Sequence, residues 1–154
     1  MNSPIFLYVS YIRTTPEELW EALTSSEFTR EYWMGLTVES DWKTGSSVRF
    51  IKPDGSSVLS GAILAAEKPQ VLSYTWSYQG TEQARAEKPS RVTFLLERFE
   101  PDPNLVKLTV THDEFPENTT VFKDISNGWP MVLSSLKTLL ETKQAMHFTG
   151  NCGK

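Results

Sequence analysis

Tyr11-Ile-Arg-Thr-Thr-Pro-Glu-Glu-Leu-Trp-Glu-Ala-Leu23 near one end and Gly128-Trp-Pro-Met-Val-Leu-Ser-Ser-Leu-Lys-Thr-Leu-Leu-Glu141 near the other decide how the rest of this 154-residue chain is read. The first stretch is a strand running into a capped helix. Residues 5–13 are rich in β-branched and aromatic side chains, which suit a pleated, half-buried surface. Thr15 then precedes Pro16, with Glu18 three residues on, which is a capping box with proline at the first helical position. The helix is expected to reach about Leu23, with Leu19, Trp20 and Leu23 on its inner face. Thr24-Ser-Ser-Glu caps a second short helix through Tyr32, to which Phe28, Tyr32 and Trp33 contribute apolar surface.

The second stretch belongs to a long amphipathic helix, from about Asn118 to Lys143. Ile125, Trp129, Val132, Leu133, Leu136, Leu139 and Leu140 follow the three-and-four spacing of one face. Gly128 and Pro130 interrupt it, and the missing N–H and the ring of Pro130 predict a kink or a new helix start there.

Between these ends the hydrophobic period is two. Val48 and Phe50 alternate with polar neighbours, and Lys52-Pro-Asp-Gly-Ser supplies a hairpin turn. Ser57 to Glu67 is the returning strand, and Lys68-Pro69-Gln70 turns the chain again. Leu72, Tyr74, Trp76 and Tyr78 then alternate with Ser73, Thr75 and Ser77, giving one strand face that is almost wholly aromatic. Gln79 to Ser90 is polar and long for a hairpin connection, so it is a candidate mobile flap. Val92, Phe94 and Leu96 alternate next, Pro101-Asp-Pro-Asn turns the chain, and Val106, Leu108, Val110 and His112 finish the sheet. Such strands need a covering layer, and the C-terminal helix is the only long one available. The class is α+β: an antiparallel sheet closed over one helix, able to enclose a cavity.

Composition narrows the function. A net charge of −4 with no cluster of Lys and Arg argues against a nucleic-acid partner, because phosphate binding needs grouped cations. Glu82 to Arg91 alternates in sign and reads as a solvated loop. Cys152 is the only cysteine, so no internal disulfide forms and a reducing, cytoplasmic setting fits. No basic segment followed by an apolar run opens the chain, and no stretch is apolar enough to insert in a membrane. Residues 1–147 are expected to form a single domain and 148–154, with Cys152, a flexible tail, with His147 at the junction.

Thr15-Pro-Glu-Glu-Leu-Trp-Glu-Ala-Leu-Thr24, Tyr32-Trp33, Asp41-Trp-Lys-Thr-Gly45, Gly61-Ala-Ile-Leu64, Leu72-Ser-Tyr-Thr-Trp76, Leu108-Thr-Val-Thr-His112 and Gly128-Trp129 with Leu133, Leu136 and Glu141 stand in an order that resembles one family. It is the family named for the activator of the heat-shock-protein ATPase, within the START-like, or SRPBCC, superfamily. The resemblance spans roughly residues 5–145. It implies the helix-grip fold, a curved antiparallel sheet wrapped around a long C-terminal helix with two short helices after the first strand. It also implies a choice of roles: relatives bind lipids, flavonoid-like or polyketide-like molecules, act as enzymes, or serve as co-chaperone domains linked to stress response. Fold alone does not select among these.

The residues favour binding. Trp33, Phe50, Tyr74, Trp76, Tyr78, Phe94, Leu108, Val110, His112, Trp129 and Leu133 are the candidate ligand-binding set, because a pocket wall accepts mixed Tyr, Trp and Phe rings more readily than a closed core does. His112 could serve as an acid or base, but no nucleophile or second acid is placed beside it. Asp113 and Glu114 flank it without a second histidine or cysteine to complete a metal site. No phosphate loop, dinucleotide fingerprint or nucleophile elbow occurs, so no cofactor is expected. The reading is a non-catalytic protein that holds a small apolar or aromatic molecule between sheet and helix. A co-chaperone-like protein-binding module ranks second, lowered because no second domain of the kind that accompanies the module in eukaryotic co-chaperones is read in this sequence, and a cyclase or dehydratase using His112 ranks third.

Overall fold

A computed structural model describes residues 3–146 and 148. His147 and Cys152, and with them most of the expected tail, lie outside the described residues. The first strand, β1 (Phe6–Arg13), ends at Thr14 and Thr15, where α1 (Pro16–Thr24) begins. Thr15 Oγ1 accepts the Glu18 N–H at 3.2 Å, as the capping signal requires. The Glu18 carboxylate takes the Thr14 hydroxyl at 2.6 Å. After α2 (Ser26–Tyr32), positive φ values at Met34 and Gly35 reverse the chain into β2 (Thr37–Ser40). The sequence reading had no strand here. Four residues are too few to show a period, and β2 is held by pairing with β3 and by the Val38 N–H bonding to Thr29 Oγ1 at 3.2 Å.

The sheet continues through β3 (Ser47–Ile51), β4 (Ser57–Glu67) and β5 (Val71–Tyr78). Gly55, at φ +91°, makes the β3–β4 turn, and Asp54 accepts the Ser56 N–H at 2.8 Å. β4 and β5 lie so close at Gly61 that a Cβ there would stand 1.8 Å from the Thr75 carbonyl oxygen. That approach accompanies the irregular register between Ile63 and Ala65.

The segment read as a flap is instead anchored. Thr81 caps the short helix α3 (Glu82–Ala86) through the Ala84 N–H at 3.1 Å, Ala84 is buried, and Arg85 donates to the Gln79 carbonyl at 2.8 Å. Glu87 then accepts the Thr119 hydroxyl at 3.0 Å, the Thr120 N–H at 2.6 Å and the Thr120 hydroxyl, tying this connection to the loop before the last helix.

β6 (Ser90–Phe99) and β7 (Asp102–Asp113) complete a seven-stranded antiparallel sheet of order β1-β7-β6-β5-β4-β3-β2. The last helix, α4 (Phe122–Thr142), crosses its concave side. It begins later than the sequence suggested and runs through Pro130 as one element, so Pro130 does not start a second helix. An interior proline costs about 3 kcal/mol, and burial of Ile125, Trp129, Val132, Leu133, Leu136 and Leu140 outweighs it. This is the helix-grip arrangement. No helix among the described residues is long and apolar enough to cross a membrane.

Candidate ligand-binding site

The inward positions of β3, β5, β6 and β7 deliver aromatic rings to one region beneath α4. Trp33, which closes α2, packs at a tilt against Phe50 with ring centroids 4.5 Å apart, and Trp129 of α4 comes edge-on to Trp33 at 5.4 Å. Trp76 lies 5.3 Å from Trp129 and 5.0 Å from the imidazole of His112. Phe94 meets Trp129 edge-on at 5.8 Å, and Phe50 and Tyr74 pack at 6.2 Å. One side of this aromatic layer faces a cleft of about 990 Å³ between α4, the α2–β2 connection and the start of β4.

Of the candidate residues, Trp33, Trp76, Tyr78 and Trp129 line that cleft. Phe50, Tyr74, Phe94, Leu108, Val110, His112 and Leu133 do not. They are buried behind the wall, packed as core. The cleft is completed by residues outside the candidate ligand-binding set: Met34 and Leu36, Val58 and Leu59, and Val121, Ile125, Gly128, Met131 and Val132 along α4. Spacing of Val121, Ile125 and Val132 by four and seven marks a helical face, and was the available signal. Its charged members, Lys52 and Asp124, are exposed at the rim, while the inner walls are apolar.

His112 is fully buried. Its Nδ1 accepts the Trp129 indole N–H at 3.1 Å, and its Nε2 meets Ser90 Oγ at 2.8 Å. Indole nitrogen only donates, so Nδ1 carries no proton and Nε2–H donates to Ser90. The Ser90 hydroxyl then has its own proton free for the Trp76 carbonyl, 3.5 Å away. Burial pushes the His112 pKa down to about 3, against the opposing pull of Asp113. The imidazole is therefore neutral, with both nitrogens engaged. Asp113 points to the other face, where Arg91 grips it with two bonds of 2.9 and 2.8 Å. Burial likewise holds the phenols of Tyr74 and Tyr32 well above their usual pKa, so neither supplies a proton near neutrality. No group of three His, Cys, Asp or Glu side chains among the described residues is arranged to hold a metal ion.

The family model described as "Activator of Hsp90 ATPase homolog 1-like protein" matches residues 13–141. The chain belongs to this family. Members of the Activator of Hsp90 ATPase homolog 1-like family are thus the frame for its fold, within the START-like superfamily. No curated protein matches the sequence. Among solved structures, protein MLL2253 of Mesorhizobium loti is 26% identical with a TM-score of 0.74, over 90% of this chain and 97% of that one. An HSP90 activator, PFC0360w of Plasmodium falciparum, is 22% identical with a TM-score of 0.73, over 89% and 96%. The Aha1 dimer of Colwellia psychrerythraea is 19% identical with a TM-score of 0.71, over 91% and 98%. At these identities the last two speak for the fold alone.

Proposed function

We propose that this member of the Activator of Hsp90 ATPase homolog 1-like family binds a small apolar or aromatic molecule in the cleft between sheet and α4, without chemistry of its own. The cleft carries the reading: about 990 Å³, walled by Trp33, Trp76, Tyr78 and Trp129 and apolar side chains of α4, with its charges at the rim. That size and composition are those of small-molecule sites, and burying ligand surface there contributes roughly 25 cal/mol per Å². His112 supports a binding role over an acid–base one, because its nitrogens are spent on Trp129 and Ser90 behind the wall. Titration of flavonoids, fatty acids and polyketide-like aromatics, followed by tryptophan fluorescence, tests it. Saturable binding that weakens in Trp33→Ala is expected, and a flat response to every class would end this reading.

A second reading, a protein-binding module acting on a heat-shock ATPase, is favoured by the outer face of β1. Leu7, Val9 and Tyr11 are exposed in alternation along this edge strand. The edge is blocked over its last residues, where Lys137 Nζ donates to the Tyr11 carbonyl at 2.5 Å and Glu141 accepts the Arg13 N–H at 2.8 Å. Stimulation of a purified heat-shock ATPase that is lost in a Leu7→Lys, Val9→Lys double variant would support it.

A further inference from the structure

Among the described residues, the indole Nε1 of Trp76 is the one buried side-chain polar atom without a hydrogen-bond partner. Trp76 is only 7% exposed, yet it forms part of the cleft wall. The neighbouring polar groups are engaged with one another rather than with it: the Trp129 indole N–H takes His112 Nδ1, His112 Nε2–H takes Ser90 Oγ, and Ser90 faces the Trp76 carbonyl. A buried donor left unpaired costs about 1–3 kcal/mol. Phenylalanine would offer the same flat apolar face without that cost.

We propose that the Trp76 Nε1–H is the polar anchor of the cleft, donating to an uncharged carbonyl oxygen on a planar apolar ligand. This rests on the cleft-binding reading and narrows it. A carboxylate or other anion is the wrong partner at this depth. Losing water around a charge costs several kcal/mol, and one neutral N–H repays little of it. The nearest titratable ring, His112, is neutral with both nitrogens engaged, and the cation and anion of the lining, Lys52 and Asp124, are out at the rim. The anchor therefore selects polycyclic ketones, quinones and flavone-like carbonyls over fatty acids presented carboxylate-first. Nε1 is closed to water, so the ligand reaches it by parting the indole from a neighbouring ring, and Trp33, Phe50 and Trp129 supply such neighbours at 6.4, 6.5 and 5.3 Å.

The test uses 9-fluorenone and fluorene, which share three fused rings and differ in a carbonyl against a methylene. Their affinities for the full chain are measured by fluorescence, and the Trp76 indole N–H is followed by NMR in nitrogen-15-labelled protein. Fluorenone is expected to bind about tenfold more tightly, the free-energy equivalent of one well-made hydrogen bond, and to move the Trp76 indole proton downfield while fluorene does not. In Trp76→Phe the two affinities are expected to converge to within about twofold of each other, whatever the change in fluorene's own affinity. Equal affinities in the native protein, with both ligands saturating, overturn the anchor and leave the cleft reading standing. A fluorenone preference that survives in Trp76→Phe also overturns it, because another donor is then responsible. If neither molecule saturates, the anchor for planar carbonyl ligands falls, and the wider panel of ligand classes decides the cleft reading. Should Trp76→Phe fail to fold, the indole shift in the native protein decides alone.

Discussion

The indole of Trp129 donates to Nδ1 of His112 across 3.1 Å, and this one bond sets the imidazole's tautomer, its charge and its role. A protonated ring would turn a second N–H toward an indole that can only donate. The bond joins α4 to β7, and through Ser90 it reaches β6. The polar chain is a cross-brace holding the helix against the sheet at the inner end of the cleft wall.

The brace makes stability depend on pH. The folded-state pKa of His112 is lowered by burial from 6.5 to about 3, so below about pH 6.5 the unfolded chain binds a proton that the folded one does not. Stability is full above that pH and falls as pH drops, by up to about 1.4 kcal/mol per unit. Urea denaturation between pH 7 and pH 5 is expected to show this slope, and His112→Gln to flatten it. An unchanged slope in the variant would refute the assignment.

Trp129→Phe keeps a ring against Trp33 and Trp76 but leaves His112 Nδ1 without its donor. A loss of about 1–3 kcal/mol is expected, measured as a drop in the denaturation midpoint. Ser90→Ala, which strips the Nε2–H of its acceptor, is expected to cost a similar amount. Variants as stable as the native protein would show that the brace does not contribute.

Gly128 lines the cleft from α4, and a Cβ there meets nothing within 4 Å. Gly128→Leu is expected to raise stability by up to about 1 kcal/mol through helix propensity while occupying ligand space. Calorimetry will show a higher midpoint together with weakened ligand binding. Unweakened binding would place the ligand elsewhere.

Gly61→Ala is the opposite case, since the new Cβ would fall 1.8 Å from the Thr75 carbonyl oxygen and two strands would have to part. A loss of about 3 kcal/mol or more is expected. A variant that melts with the native protein would mean that β4 and β5 approach less closely.

Glu87 gives a local readout. Partial burial pushes its carboxyl upward, but the hydrogen bonds from Thr120 and Thr119 outweigh this and hold its pKa below the usual glutamate range. The latch is therefore closed at neutral pH and opens only as acid protonates the carboxylate. Glu87→Ala is expected to speed amide hydrogen exchange across residues 79–89 and 119–121 at neutral pH, leaving exchange in β6 and β7 unchanged. Unaltered exchange in both loops would remove the latch.

What could be read from the residues in order was whatever depends on near neighbours. Thr15, Pro16 and Glu18 announce α1 because capping is settled within one turn. The alternation of Leu72, Tyr74, Trp76 and Tyr78 announces β5 because a pleat repeats every two residues. Ser57 to Glu67 emerged with the bounds expected for β4, and the apolar face of α4 was legible from Ile125 to Leu140. The strings around these elements were enough to suggest the family and with it the helix grip.

Tertiary structure decided the rest, because it depends on register and on where the helix docks. Whether an inward ring lines the cleft or fills the core is not a property of its strand. Tyr74 and Trp76 alternate identically in sequence, yet only Trp76 reaches the cleft: Tyr74 packs between Phe50 and Phe94 in the core, while Trp76 lies against Trp33 and Trp129, which wall the cleft. The partners of His112 lie 22 and 17 residues away, at Ser90 and Trp129, and only sheet register and helix placement bring them to its two nitrogens. The unpaired N–H of Trp76 follows from the same placement: no nearby sequence denies it a partner, but the rings packed around it from α2, β3, β7 and α4 do.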